Sequence, residues 1–400
     1  MNLTQKSKSR NKRKNRRKIW VPILSVVVLL LVSGGLYAFV YPEKAESFFS
    51  SIRGNSEKEI QNESQTGKEN QSQEDEASKE ENENPSEETE VEETELIFTG
   101  DVLLSDYVLN NYNAGGIDGV ISENLRTQLE DADILEVNNE FPYSTRGTQA
   151  PDKQYTFRVD PKYVSILKEM GVDAAGLANN HVLDYGKEAL EDTFTTLSDA
   201  GIDYTGAGES REDASKLLTY EVNGKTYGIL AASRVIPVGS WNIDNSQPGV
   251  FCTYDTTQLV EKIKAAKESC DYVFVCVHWG VEHTDELTDY QTSMAHQFVD
   301  AGADAVIGSH PHVLQGIEYY SGKPIFYSLG NFIFNQNIDS TMAVRFTVSG
   351  EDVKVQLIPA TASGAKTQLA DSAKAESIYT YLESISSTVQ IDENGNLDEK

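Results

Sequence analysis

Hydrophobic positions divide the chain into three regimes. Residues 19–40, IWVPILSVVVLLLVSGGLYAFV, carry no charge, and such a run is long enough to cross a hydrocarbon core of about 30 Å as a helix rising about 1.5 Å per residue. Residues 54–95 are almost free of apolar side chains and rich in Glu, Asn, Ser and Gln. They cannot bury enough surface to offset the entropy of ordering, so residues 41–95 read as a disordered acidic linker. Beyond them, short apolar runs alternate with amphipathic stretches. Strands are predicted at residues 95–99, 133–137, 174–177, 227–231, 272–277, 305–307 and 325–328, and helices at 119–131, 161–170, 187–200, 255–269 and 291–301.

Punctuation supports this reading. Pro161 stands at a first helical position, and Gly171, Gly201 and Gly302 follow predicted helices as stops. Hairpin turns are predicted at Asn223-Gly224, Ser321-Gly322-Lys323 and Ser349-Gly350-Glu351. So many late hairpins do not suit a purely parallel doubly wound sheet. The pattern predicts an α/β domain over residues 96–390, a mixed-sheet sandwich flanked by helices, with the acidic residues 391–400 as a flexible tail.

Charge adds orientation. Residues 1–18 hold nine Lys/Arg and no acid, which by the positive-inside rule keeps this basic segment cytoplasmic. The expectation is a single-pass cell-membrane protein with its main domain extracellular. A cleavable signal peptide is the alternative, but the apolar run exceeds the usual core of about 7–15 residues. Of the formal net charge of −29, residues 54–95 contribute −13 and residues 96–400 contribute −25. Nucleic acid is excluded as a partner, because phosphate binding needs a basic surface. Three Cys form neither a zinc pattern nor a disulfide framework.

Polar residues collect just after the predicted strands: Thr99-Gly100-Asp101, Asn138-Asn139-Glu140, Asn179-Asn180-His181 with Asp184, His278-Trp279-Gly280 with Glu282, Gly308-Ser309-His310-Pro311-His312, and Gly330-Asn331. Carboxyl ends of strands in α/β sheets are where loops converge into ligand sites. Four of the six His fall in these segments. Asp, Glu, Asn and His without Cys suit one or two divalent ions, Mn, Fe or Zn, better than Ca. Arg146, Arg158 and Arg234 are candidate anion clamps.

These segments, in this order, resemble the CapA capsule-biosynthesis family, the poly-gamma-glutamate PgsA type, over roughly residues 95–360. That family is similar to the calcineurin-like metallophosphoesterases, and the resemblance implies a four-layer α/β/β/α sandwich with a two-metal site. It implies Asp101, Glu140, Asn180, His278, His310 and His312 as metal ligands. His181 and Asp184 become the catalytic pair, with Asn138 and Glu282 as possible additions. The phosphoesterases have His where this chain has Leu103, so one metal loses an imidazole: either Glu282 or water replaces it, or only one metal binds tightly. The implied role is synthesis, transfer or attachment of an anionic capsule polymer, poly-gamma-glutamate. The polymer or its precursor, the membrane and other membrane subunits are the implied partners. The alternative is a metal-dependent phosphoester hydrolase, or a transferase, acting on envelope polymers or lipids.

Overall fold

Residues 92–400 are described in this computed structural model. The basic segment 1–18, the span 19–40 and all of the 41–95 linker but its last residues lie outside them. Among the described residues no helix is long and apolar enough to cross a membrane.

The order of elements begins β1 (Thr94–Val102), α1 (Asp106–Gly115), α2 (Glu123–Asp131), β2 (Ile134–Asn139), α3 (Val164–Met170), β3 (Ala174–Gly176), α4 (Lys187–Ala200) and β4 (Asp203–Thr205). It continues through β5 (Ala207–Gly208), α5 (Arg211–Ala214), β6 (Leu218–Val222), β7 (Lys225–Ser233), β8 (Gly249–Val250), α6 (Thr257–Lys267) and β9 (Tyr272–His278). Next come α7 (Asp289–Asp300), β10 (Ala305–Ser309), β11 (Ile317–Tyr320), β12 (Lys323–Phe326) and β13 (Asn331–Ile333). The chain closes with β14 (Ile338–Ser349), β15 (Asp352–Ser363), β16 (Lys366–Leu369), α8 (Ser372–Ser384), β17 (Val389–Ile391) and β18 (Leu397–Glu399).

Two large sheets result. One runs β16-β15-β14-β1-β2-β3-β4 with β13 also on β1, and the other runs β11-β12-β10-β9-β7-β6. Within them β1–β4 are parallel, as are β7, β9, β10 and β12, while the three predicted hairpins form β6–β7, β11–β12 and β14–β15.

Side-chain alternation makes the layers. On β1, Ile97 packs with Leu125 and Leu129 of α2, Ile166 of α3 and Leu190 of α4. Its neighbours Leu96 and Phe98 face the other way, towards Phe274 and Ile307 of the second sheet, with the Phe98 and Phe274 rings 4.9 Å apart. Val273 and Val275 of β9 then turn outward onto Leu259, Ile263 and Phe298 of α6 and α7. The order is helices, sheet, sheet, helices, the expected sandwich.

Three expectations need correction. Residues 391–400 are not a flexible tail: β17 and β18 pair around Gly395, whose φ is 81°, and Val389, Ile391 and Leu397 are buried in the inter-sheet core. Acidic residues on the exposed face of the hairpin had masked its alternation. At the other end β1 starts at Thr94, so the ordered domain takes the last two residues assigned to the linker. The helix predicted over 119–131 starts only at Glu123, behind Ser122.

Candidate metal centre

The first donor is placed by a glycine. A Cβ on Gly100 would lie 2.0 Å from Gly330 O, so only glycine lets the end of β1 press against the turn before β13. There the Asp101 N–H donates to Gly330 O at 2.8 Å, and the Asp101 side chain is fully buried. From β2, Asn138 Nδ2 donates to Asp101 Oδ1 at 2.8 Å and to Glu140 Oε1 at 3.0 Å. Glu140 is fixed by its own N–H, which donates to Val102 O at 2.9 Å. Asn179 shapes the next turn: its amide donates to Asn138 Oδ1, and its Oδ1 accepts the N–H groups of His181 and Val182.

The second sheet supplies the imidazoles. His278, ending β9, lies with Nε2 3.1 Å from Asn180 Oδ1, and with Nδ1 3.0 Å from Ser309 Oγ and 3.4 Å from Glu140 Oε1. The His278 and His310 rings are 4.6 Å apart, and those of His310 and His312 5.8 Å. His312 Nδ1 reaches Asn331 Oδ1 at 2.8 Å and Asp101 Oδ2 at 3.2 Å. The contacts therefore close a ring through Asp101, Asn138, Glu140, His278, Asn180, His310 and His312. All six expected ligands and Asn138 come together. Leu103 is buried in the apolar core and contributes nothing.

Electrostatics in this ring are those of a site built around positive charge. Burial, with Asp101 beside it, pushes the Glu140 carboxyl well above its usual range. Burial holds His278 far below the usual imidazole value and, with His312 nearby, lowers His310 to about 3. Burial alone would lower His312 too, but Asp101, Glu140 and Asn331 raise it to about 10. Buried Glu140 Oε2 and His310 Nδ1 have no hydrogen-bond partner among the described residues, a cost that a coordinated cation removes. Donor atoms of Asp101, Glu140 and His278 lie within 4.8 Å of one another, as do those of Glu282, His310 and His312. The residues fit a divalent metal.

Beside the ring, His181 Nδ1 lies 2.8 Å from Asp184 Oδ2, and the Phe157 ring sits 4.7 Å from the imidazole. Sequence reasoning missed Lys153. Its ammonium donates to Asn180 O at 2.5 Å and to Asp184 Oδ1, within a long irregular connection between β2 and α3 where no periodicity marks it. The arginines engage elsewhere: Arg146 pairs with Asp192, Arg158 lies over Tyr185, and Arg234 lies over Tyr254 and Tyr290.

Residues 95–336 match the family described as bacterial capsule synthesis protein PGA_cap. The PGA biosynthesis protein CapA of Bacillus subtilis (strain 168) is 39% identical over 199 residues, 50% of this chain and 52% of that protein. The capsule biosynthesis protein CapA of Bacillus anthracis is 34% identical over 236 residues, 57% and 56% of the two chains. The match thus spans about half the length of these curated relatives. Among solved structures, a hypothetical protein from Thermus thermophilus aligns with 67% of this chain and 98% of its own at 17% identity and a TM-score of 0.42.

Proposed function

The chain belongs to the bacterial capsule synthesis protein family PGA_cap, and from that premise we propose that it serves synthesis, transfer or attachment of an anionic capsule polymer, poly-gamma-glutamate. In this reading residues 19–40 anchor it in the cell membrane with the main domain extracellular, beside other membrane subunits of polymer synthesis. The ring of Asp101, Glu140, Asn180, His278, His310 and His312 holds one or two ions of Mn, Fe or Zn. The observation that carries the metal reading is the pair of buried, unpartnered atoms Glu140 Oε2 and His310 Nδ1 facing a charged cluster. Bound metal supplies the local positive charge that a domain of −25 otherwise lacks for an anionic ligand.

Complementation tests it. A strain deleted for the gene and given the Asp101→Ala, Glu140→Ala or His278→Ala chain should lose surface polymer or its retention, while the wild-type chain restores both. Full restoration by these variants would sink the proposal.

His181 and Asp184 favour a second reading, metal-dependent phosphoester hydrolysis or transfer in envelope polymers. A His held by a carboxylate beside a metal site can move a proton at Nε2. Purified, metal-loaded protein should then turn over phosphoester substrates. No turnover on phosphoester or gamma-glutamyl substrates with metal bound would exclude this reading and leave a binding role.

A further inference from the structure

Arg234 differs from the other described arginines. Arg126, Arg146 and Arg211 pair with Asp118, Asp192 and Asp244, Arg345 faces Glu95, and Arg158 donates to the carbonyl of Arg146. The Arg234 guanidinium has no hydrogen-bond or ion-pair partner among the described residues. It rests instead over two rings, 4.1 Å from the Tyr254 centroid and 5.1 Å from that of Tyr290. We propose that Arg234, with Tyr254 and Tyr290, forms a carboxylate-binding subsite on the rim beyond the metal centre, where it grips a carboxylate-bearing unit of the polymer.

The backbone builds this subsite. Arg234 follows β7, and its N–H donates to His278 O at 2.8 Å, so it stands at the same carboxyl end of the second sheet as the imidazoles. Ser233 Oγ accepts the Val235 N–H at 3.1 Å, which fixes the chain around Arg234. The Thr253 N–H donates to Ser233 O at 2.8 Å and brings Tyr254 alongside. Tyr290 is held by Gly280, whose N–H its Oη accepts and whose carbonyl it donates to. A guanidinium lying over aromatic rings keeps its N–H donors free at its edge, where two of them match the two oxygens of one carboxylate. Tyr254 is 52% exposed, and Val238 in the loop after Arg234 is 50% exposed. The subsite therefore joins one cation to apolar surface open to solvent. That suits a carboxylate carried on methylene groups better than a phosphate monoester, whose charge of about −2 a single arginine leaves half unmatched.

This inference rests on the polymer reading above, and the experiment separates the two. Full-length protein in detergent, metal-loaded or stripped with chelator, is titrated calorimetrically with a gamma-linked glutamate oligomer, with its carboxamide form and with inorganic polyphosphate. The stripped wild type should bind the glutamate oligomer more tightly than either of the others. Arg234→Met should bind it at least about tenfold more weakly. Arg234→Lys should recover only part of that loss, because it keeps the charge but not the fork. Tyr254→Ala should lose about threefold, and Tyr254→Phe little. Metal uptake equal to the wild type's in each variant checks that the fold is intact. Oligomer binding that needs metal and is unchanged in Arg234→Met would overturn the subsite while leaving the polymer reading standing. Polyphosphate bound as tightly as the glutamate oligomer would overturn the carboxylate assignment. No binding of the oligomer by the wild type, with metal or without, would overturn the polymer reading and the subsite together.

Discussion

Lys153 Nζ stands 2.9 Å from His181 Nδ1, the same imidazole nitrogen that Asp184 Oδ2 approaches to 2.8 Å. An ammonium can only donate and a carboxylate can only accept, so the two compete over one nitrogen. Burial holds His181 below the usual imidazole range, Asp184 works against this, and the neighbouring Lys153 charge reinforces it. Burial likewise lowers Lys153 itself, although Asp184 and Glu140 oppose the shift. Removing the ammonium removes a like charge and leaves Asp184 to favour the imidazolium alone. Lys153→Met should therefore raise the His181 titration midpoint in chelator-treated protein, followed by NMR of the labelled histidines, while Lys153→Arg should change it less. An unmoved midpoint in Lys153→Met would show that Lys153 does not govern this imidazole.

Glu136 gives a pH dependence of stability. It lies on β2 between the sheets, 3% exposed, beside Cys276 and Gly176, and its Oε1 has no hydrogen-bond partner among the described residues. A cavity of about 20 Å³ there, lined also by Thr99 and Ser309, has room for one water. Burial pushes the carboxyl up to about 8, against smaller opposing contributions from Cys276 and Gly176. The fold thus holds this proton more tightly than the unfolded chain does. Below the unfolded value, about 4.5, there is no penalty; stability then falls as pH rises towards 8, by at most about 1.4 kcal/mol per unit. Glu136→Gln removes that slope. Its urea midpoint should exceed the wild type's by more at pH 8 than at pH 5, and equal increments at the two pH values would refute the argument.

The chemistry at the strand ends was legible because polar residues interrupt apolar runs at Asp101, Asn138, Asn180, His278 and His310, where no core requirement explains them. Helix α4 was legible too, its bounds matching the predicted 187–200, because Leu190, Phe194 and Leu197 repeat at helical spacing behind a glycine stop. By contrast α1 buries only Val108 and carries no stripe to read. Lys153 escaped notice for a related reason: an irregular segment has no period, and its partners, Asn180 and Asp184, are distant in sequence. Tertiary pairing, not local pattern, places it.

Gly100 shows how two sequence motifs become one structural feature. Its missing Cβ admits Gly330 O, so the Gly-Asp near the end of β1 and the Gly-Asn that leads into β13 form a single close contact that sets Asp101 against the Asn331–His312 pair. Gly100→Ala should cost at least about 1–3 kcal/mol through overpacking against backbone that has little freedom to yield. It should also weaken metal uptake by displacing Asp101. Gly115→Ala is the control, since nothing lies within 4 Å of its added Cβ. Paired chemical denaturation and metal titration check both parts, and a Gly100→Ala chain as stable and as metal-competent as Gly115→Ala would contradict the contact.

The C-terminal hairpin tests the correction made to the tail. Leu397 is 4% exposed and packs into the inter-sheet core with Val389 and Ile391, and Tyr319 Oη donates to its carbonyl at 3.3 Å. Next to it Asp398 is exposed on the opposite face of β18. A frayed end would tolerate change at either position equally. A packed strand predicts an alternation instead: Leu397→Ala should lose about 2–5 kcal/mol, the usual range for a buried leucine. Asp398→Ala should stay within about 0.5 kcal/mol. Urea midpoints of the two single variants decide the matter, because a strand that turns Leu397 into the core turns Asp398 away from it. Indistinguishable midpoints would return residues 391–400 to the status of an unpacked tail.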